Sequence, residues 1–377
     1  MTSITITQRV LSGRIRQRPI AFGTSTMSPR HKVARGACVR RLRALVVMLA
    51  VAAPLRADWT LTYPWKGQPY SGSVVAAGDA RVYACSGLEA WLVASDDGGR
   101  TWSKTSPLTT SSSVVPVDIV SQPHSPDTVV IDAEGLEAAI FRTADAGATW
   151  QRVGAYVHVA VDPVDPNVMY ASRGYPSFGG IVKTVDGGIT WSDTARKNSL
   201  DRAIVVDVLD HQTVYAIGID VPEQKTAGLY RTRDGGATWP SIYPGYNTIL
   251  SLTVDVLDRL YAIVESEFAL LLLRSTNQGD SWSRLRITVP PVGGYPDVRA
   301  RAVAIDPRMP QRLYVGTLEQ GVVASFDDGV TWEVLGNLPS HFVNAITVTG
   351  DGAVLAATPD GIYRYMPTPP RRRAIGK

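Results

Sequence analysis

The side chains that could do chemistry in this chain are few and scattered. Five loop glutamates, Glu134, Glu137, Glu265, Glu267 and Glu319, could supply the facing carboxylate pair that glycoside hydrolysis needs. Each also fits a plain solvated loop. His124, His158, His211 and His341 stand singly, without metal-ligand spacing, so no metal site is assigned and no cofactor is expected. The Asp-Gly-Gly runs sit between strand-like segments and not at a strand-to-helix turn, so they are hairpins and not phosphate loops. One group is ordered by register. When the apolar strands are aligned, Arg202, Arg301 and Asn344 fall at one equivalent position, with His158 one residue deeper. Arg173, Tyr175, Tyr246, Tyr295 and Arg299 lie on loops of the same side. Arg and Tyr are enriched at protein interfaces, so this set predicts an Arg/Tyr patch for a protein or acidic ligand.

A repeated unit must position these residues. An eight-residue box, Ser/Thr-x-Asp-x-Gly-x-Thr/Ser-Trp, occurs six times. The copies place Asp97 with Trp102, Asp145 with Trp150, Asp186 with Trp191, Asp234 with Trp239, Asn277 with Trp282, and Asp327 with Trp332. A spacing in the forties with strand-like content points to one four-stranded blade per repeat. Each residue type has a local job. The Asp accepts hydrogen bonds from turn N–H groups, and the Gly supplies a positive φ. The hydroxyls tie the hairpin arms, and the Trp buries its ring against a neighbouring blade. These residues are read as structural. Before each box comes an apolar strand ending in Asp, a turn, and a short strand carrying Tyr, as in Val159–Asp162 followed by Val168–Ala171.

A boxless unit follows the last box: Ala345–Val348, Ala353–Ala357 and Gly361–Tyr365. Its missing fourth strand is predicted to be Trp59–Trp65, which closes the ring with both ends of the chain in one blade and leaves no free edge. The expectation is an all-β, seven-bladed β-propeller of four-stranded antiparallel blades. A six-bladed ring capped by residues 345–365 is the alternative.

The boxes resemble the Asp-box, or BNR, repeat of sialidases, sortilin-type ectodomains, xyloglucan-cleaving glycosidases and the photosystem II assembly factor family. The resemblance covers residues 59–366 and implies the propeller, with the boxes on the periphery away from the ligand face. It does not imply one activity. The Phe/Tyr-Arg-Ile-Pro segment of sialidases does not occur beyond the leader; Arg18-Pro19-Ile20 is a scrambled string. Xyloglucan-cleaving relatives usually pair two propellers, and this chain has room for one.

Three segments follow. Residues 1–57 read as a leader: Arg40-Arg41-Leu42-Arg43, an apolar core at 44–55, and an Ala-type cleavage site near Ala57. An uncleaved N-terminal anchor is the other reading. Residues 58–366 form the propeller, and 367–377 form a flexible Pro/Arg-rich tail. The overall net charge of +4 hides an asymmetry, because residues 1–57 hold many Arg and Lys and no acid. The body is acidic, which argues against a nucleic-acid partner. Cys85 is the only cysteine beyond the leader, so no intrachain disulfide is expected there. The composite expectation is an exported, noncatalytic, protein-binding or assembly scaffold, periplasmic or extracellular. It has no stable membrane span once the leader is cleaved, and it takes a protein or glycan on its loop-rich face. A glycoside hydrolase is the alternative, and oligomeric state is left open.

Overall fold

Seven sheets of four antiparallel strands each make up the computed structural model. It describes residues 58–65, 72–109, 114–122, 124–135, 139–173, 179–220, 228–243, 248–266, 269–290 and 298–367. The leader, Glu137, Tyr175, Tyr246, Glu267, Tyr295 and nearly all of the tail lie outside the described residues.

Blades 1 to 6 are each continuous in sequence. Their inner strands are Ser73–Ala77, Val114–Ser121, Val157–Val161, Ser199–Val206, Thr248–Val254 and Ala300–Ile305. Blade 7 starts with Ala345–Val348 and continues through Val354–Thr358 and Gly361–Tyr365. Its outer strand is Thr60–Pro64, from the opposite end of the chain. The ring therefore has seven blades, and the terminal closure is the one expected.

Sheet packs on sheet around the ring through shared apolar clusters. Blade 6 meets blade 7 through Tyr314, Val322, Ala324, Ile346 and Val354. The closing strand is pinned at both ends by tryptophan. Trp59 Nε1 donates to the Leu335 carbonyl of blade 6 at 2.6 Å, and Trp65 Nε1 to the Thr358 carbonyl at 3.0 Å.

The six boxes fold into one turn. In box 3, Thr184 Oγ1 donates to Asp186 Oδ1 and accepts from Gly188 N; Thr190 N and Oγ1 both donate to the Asp186 carboxylate. The set recurs at Asp97, Asp145, Asp234 and Asp327. These bonds hold Asp145, Asp186 and Asp234 down at about 2, led by the threonine hydroxyl four residues on for Asp145 and Asp186 and by Thr232 for Asp234. In box 5 the polarity of one bond reverses, since Asn277 Nδ2 donates to Ser281 Oγ at 2.9 Å. The fifth box residue is Gly at positive φ throughout, for example Gly188 at 92°. The fourth also takes positive φ, and boxes 2, 5 and 6 spend a non-glycine there, Ala146, Gln278 and Asp328.

Each box leans on the inner turn of its own blade. Gly98 N donates to Ala80 O, Gly187 N to Asn167 O, and Gly235 N to Gln212 O. The aspartates that end the inner strands cap those turns: Asp162, Asp207, Asp255 and Asp306 are buried and accept from two turn N–H groups each. Boxes and inner turns thus share one face. The remaining loops form the other.

Candidate functional site

The loop face begins where the inner strands start, and there the ladders are irregular. Blades 2 to 6 each carry a β-bulge near the start of the inner strand. The residue skipped by the register is Val117 in blade 2, Arg202 in blade 4, Leu250 in blade 5 and Arg301 in blade 6; in blade 3 the shift spans His158 and Val159. A bulge re-aims the extra side chain and breaks the alternation of the strand. The equivalence of Arg202 and Arg301 seen in the sequence therefore has a backbone cause. Leu250 belongs to the same series and was missed, because an apolar residue in an apolar strand gives no signal of its own.

Two of these bulge residues open onto a cavity. Leu250, Ile263, Leu270, Ala300, Arg301 and Asn344 line a space of about 250 Å³ between blades 5, 6 and 7. Leu250, Ile263, Leu270 and Ala300 supply its apolar lining, and Arg301 and Asn344 its side-chain polar groups. Arg301 is exposed, its guanidinium carbon 5.8 Å from the centre of the Phe342 ring, and among the described residues no carboxylate pairs with it. Asn344 has its backbone N–H on the Ala357 carbonyl, but neither its side-chain Nδ2 nor its Oδ1 has a protein partner although both are buried. A buried amide with no partner costs about 1–3 kcal/mol, which a ligand hydrogen bond would recover. The cavity can take an apolar group carrying a hydrogen-bonding or anionic end.

The other predicted residues are separated or neutralised. Arg299 lies beside this cavity's strand but is paired with Glu319. Glu319 is thus a structural partner of an arginine. Arg173, in blade 3, is held by Asp193 and lies over the Tyr156 ring at 5.7 Å. Glu265 is the penultimate residue of the second strand of blade 5 and is exposed. Of Arg202 and Glu134 the structure describes the strand positions only.

Two polar clusters on the same side were not foreseen. In blade 2, Asp118 and Asp132 face each other across adjacent strands. Asp118 is exposed at the blade surface, but the protein packed against it, then the neighbouring Asp132 charge, raise its pKa. Asp118 Oδ1 accepts from Ser73 Oγ at 3.2 Å. Asp132 Oδ2 accepts the His158 backbone N–H at 2.9 Å, with His158 Nδ1 3.5 Å from the same oxygen and His158 itself at positive φ. In blade 4, the buried Arg196 Nε donates to Asp201 Oδ1 at 2.6 Å, its Nη1 lies 3.0 Å from Asp220 Oδ1, and its plane stacks 3.4 Å from the Tyr230 ring centre. Ser199 and Tyr230 complete the two carboxylates. That network ties the segment entering blade 4 to its first three strands. Among the described residues, no three metal-type side chains are arranged to hold an ion.

The fold and this site together define a seven-bladed propeller with a small pocket at the loop-face mouth. No family model matches the chain, and no curated protein matches it in sequence. Solved structures do match it in shape. The GH74 xyloglucanase from Xanthomonas campestris superposes with a TM-score of 0.64 at 17% identity, over 82% of this chain and 53% of that one. YCF48 bound to D1 peptide gives 0.60 at 15% identity, over 83% and 97%. YCF48 from Cyanidioschyzon merolae gives 0.61 at 15% identity, over 82% and 99%. This chain spans about half of the xyloglucanase and nearly the whole of each YCF48 chain. Such low identities establish the propeller and nothing finer.

Proposed function

We propose that this protein is an exported, noncatalytic propeller that binds a peptide or protein segment through its loop face. The carrying observation is the cavity between blades 5, 6 and 7, where Arg301 and the unpartnered Asn344 amide stand beside Leu250, Ile263, Leu270 and Ala300. That combination suits an apolar side chain flanked by a carboxylate or backbone amide. Two further points support the reading. A single-propeller neighbour of matching length is described with a bound peptide, and the boxes resemble repeats committed to structure. The basic, apolar leader of the sequence supports export, to the periplasm or the medium.

The second reading is a glycoside hydrolase. It is favoured by the GH74 neighbours and by the carboxylates of Asp118 and Asp132, one of them with a raised pKa. A raised carboxylic acid beside a second carboxylate is the chemistry of glycosidic cleavage. One experiment separates the two. The purified chain is screened on a peptide array and on a panel of plant and bacterial glycans. Binding of acidic–apolar peptides that weakens about tenfold or more in Arg301→Ala and Asn344→Ala supports the scaffold. Glycan cleavage abolished by Asp118→Asn overturns it.

A further inference from the structure

The cavity between blades 5, 6 and 7 is large for one aliphatic side chain. An apolar cavity of about 150 Å³ already holds benzene, and this one measures about 250 Å³. A branched aliphatic group would leave part of it empty, and an empty volume forfeits contacts along its lining. A six-membered ring with a substituent fills more of the space. Leu250 is 46% exposed and Leu270 half-buried, so two large aliphatic groups of the lining present open surface to such a ring.

The polar groups at the cavity match a hydroxyl on that ring. Among the described residues, Asn344 has a partner for neither Nδ2 nor Oδ1, so it offers a donor and an acceptor together. Gly72 of blade 1 faces the amide without a side chain; a Cβ there would come 4.0 Å from Nδ2. A phenol O–H can donate to Oδ1 or accept from Nδ2, and it leaves the other amide atom to the ligand main chain. An aliphatic or phenyl tip can do neither. Arg301 is exposed, has the Phe342 ring on one side, and is paired with no carboxylate among the described residues. It is available to an acidic residue next to the ring.

We infer that the cavity is a tyrosine pocket, and that its ligand is an exposed Tyr beside an acidic residue. The ring packs on Leu250, Ile263 and Leu270, the phenol oxygen meets Asn344, and the neighbouring carboxylate meets Arg301. The inference rests on the peptide-binding reading and narrows it to one anchor chemistry. Tyrosine suits the role, because it brings a large rigid apolar body with a polar tip at low cost in conformational entropy.

The test measures, by calorimetry, the Kd of the full chain for capped Gly-Gly-Asp-X-Gly peptides in which X is Tyr, Phe, Leu or Ala. The Tyr peptide should bind tightest, the Phe peptide about tenfold more weakly, and the Leu peptide more weakly again. Asn344→Leu keeps the side-chain volume and the backbone bond to the Ala357 carbonyl. It should erase the difference between Tyr and Phe while both still bind. Leu250→Trp, at an exposed position, fills the cavity and should bring Tyr and Phe down to the level of Ala with an unchanged thermal midpoint. A Leu peptide as tight as the Tyr peptide would overturn the inference. So would a Tyr preference that survives in Asn344→Leu. In either case, binding that still weakens about tenfold in Arg301→Ala leaves the broader peptide reading in place. Failure of every peptide to bind removes that reading, and the tyrosine pocket with it.

Discussion

The two faces of the propeller are built on opposite plans. On the box face, one hydrogen-bonded turn is repeated six times, with a single bond reversed in box 5 and the positive φ of the fourth and fifth residues kept throughout. On the loop face no polar cluster recurs. Blade 2 holds a carboxylate pair, blade 4 an arginine locked between two aspartates, and blades 5 to 7 an aliphatic pocket. What recurs there is a backbone device, the bulge at the start of the inner strand. The contrast shows a division of labour. The repeated face carries stability through local chemistry, and the variable face inherits a rigid frame on which side chains are free to differ.

Closure of the ring gives the largest effect with which to test that division. Trp59 is buried against Leu335, Tyr365 and the blade 6–7 cluster, 5.1 Å from the Tyr365 ring centre. It also supplies the indole hydrogen bond to the Leu335 carbonyl. Trp59→Ala should cost about 3–5 kcal/mol, seen as a lower denaturation midpoint in urea. Because blade 7 alone joins the two chain ends, the loss should unfold both faces together. Separate transitions for the box and loop faces would show that the ring is not one cooperative frame.

A smaller effect compares the faces directly. Thr232 is buried, and its hydroxyl donates to Asp234 while accepting from Gly236 N at 2.9 Å. Thr232→Val keeps the shape, strands that N–H and should cost about 1–3 kcal/mol. Arg301→Ala, on the loop face, should leave the midpoint within about 0.5 kcal/mol of the parent. Thermal melts of the two variants side by side decide the matter. Equal losses would mean that the loop face bears structural load as well.

The same division explains what could be read in the sequence. Blade number was legible because the box residues act on neighbours within four positions, so their types are dictated locally. The terminal closure was legible because a strand-like segment, Trp59–Trp65, had no other partner. The site was legible only in part. Arg301 and Asn344 emerged from alignment of the inner strands, because a polar residue there is conspicuous. Leu250 was not, being apolar in an apolar strand. Asp118 and Asp132 stayed hidden because their pairing depends on a bulge at Val117 that shifts the register between them. Arg173 and Arg299 look available in sequence but are paired with Asp193 and Glu319, partners about twenty residues away.

The smallest expected effect lies within the box face, where two kinds of aspartate respond oppositely to pH. The box carboxylates Asp145, Asp186 and Asp234 sit near 2, below the unfolded value of about 3.9, so their contribution is present above that value and fades as pH falls toward 2. Asp207 goes the other way. Burial, then the Asp258 side chain of the next blade, push it up to about 6. The folded state then holds a proton that the unfolded chain gives up above about pH 4, so stability falls as pH rises from about 4 to 6. Asp258 is itself tied to the box 5 side chain of Gln278 at 2.9 Å, so the pair couples two blades. Asp258→Asn removes the neighbouring charge and should lower the Asp207 pKa. The measured slope of stability against pH should flatten between 4 and 6 while the acid limb below 4 stays as it was. An unchanged upper limb would assign that slope to other raised carboxylates, Asp118 and Asp201 on the loop face, and would move the pH sensitivity of the propeller from its repeated side to its variable one.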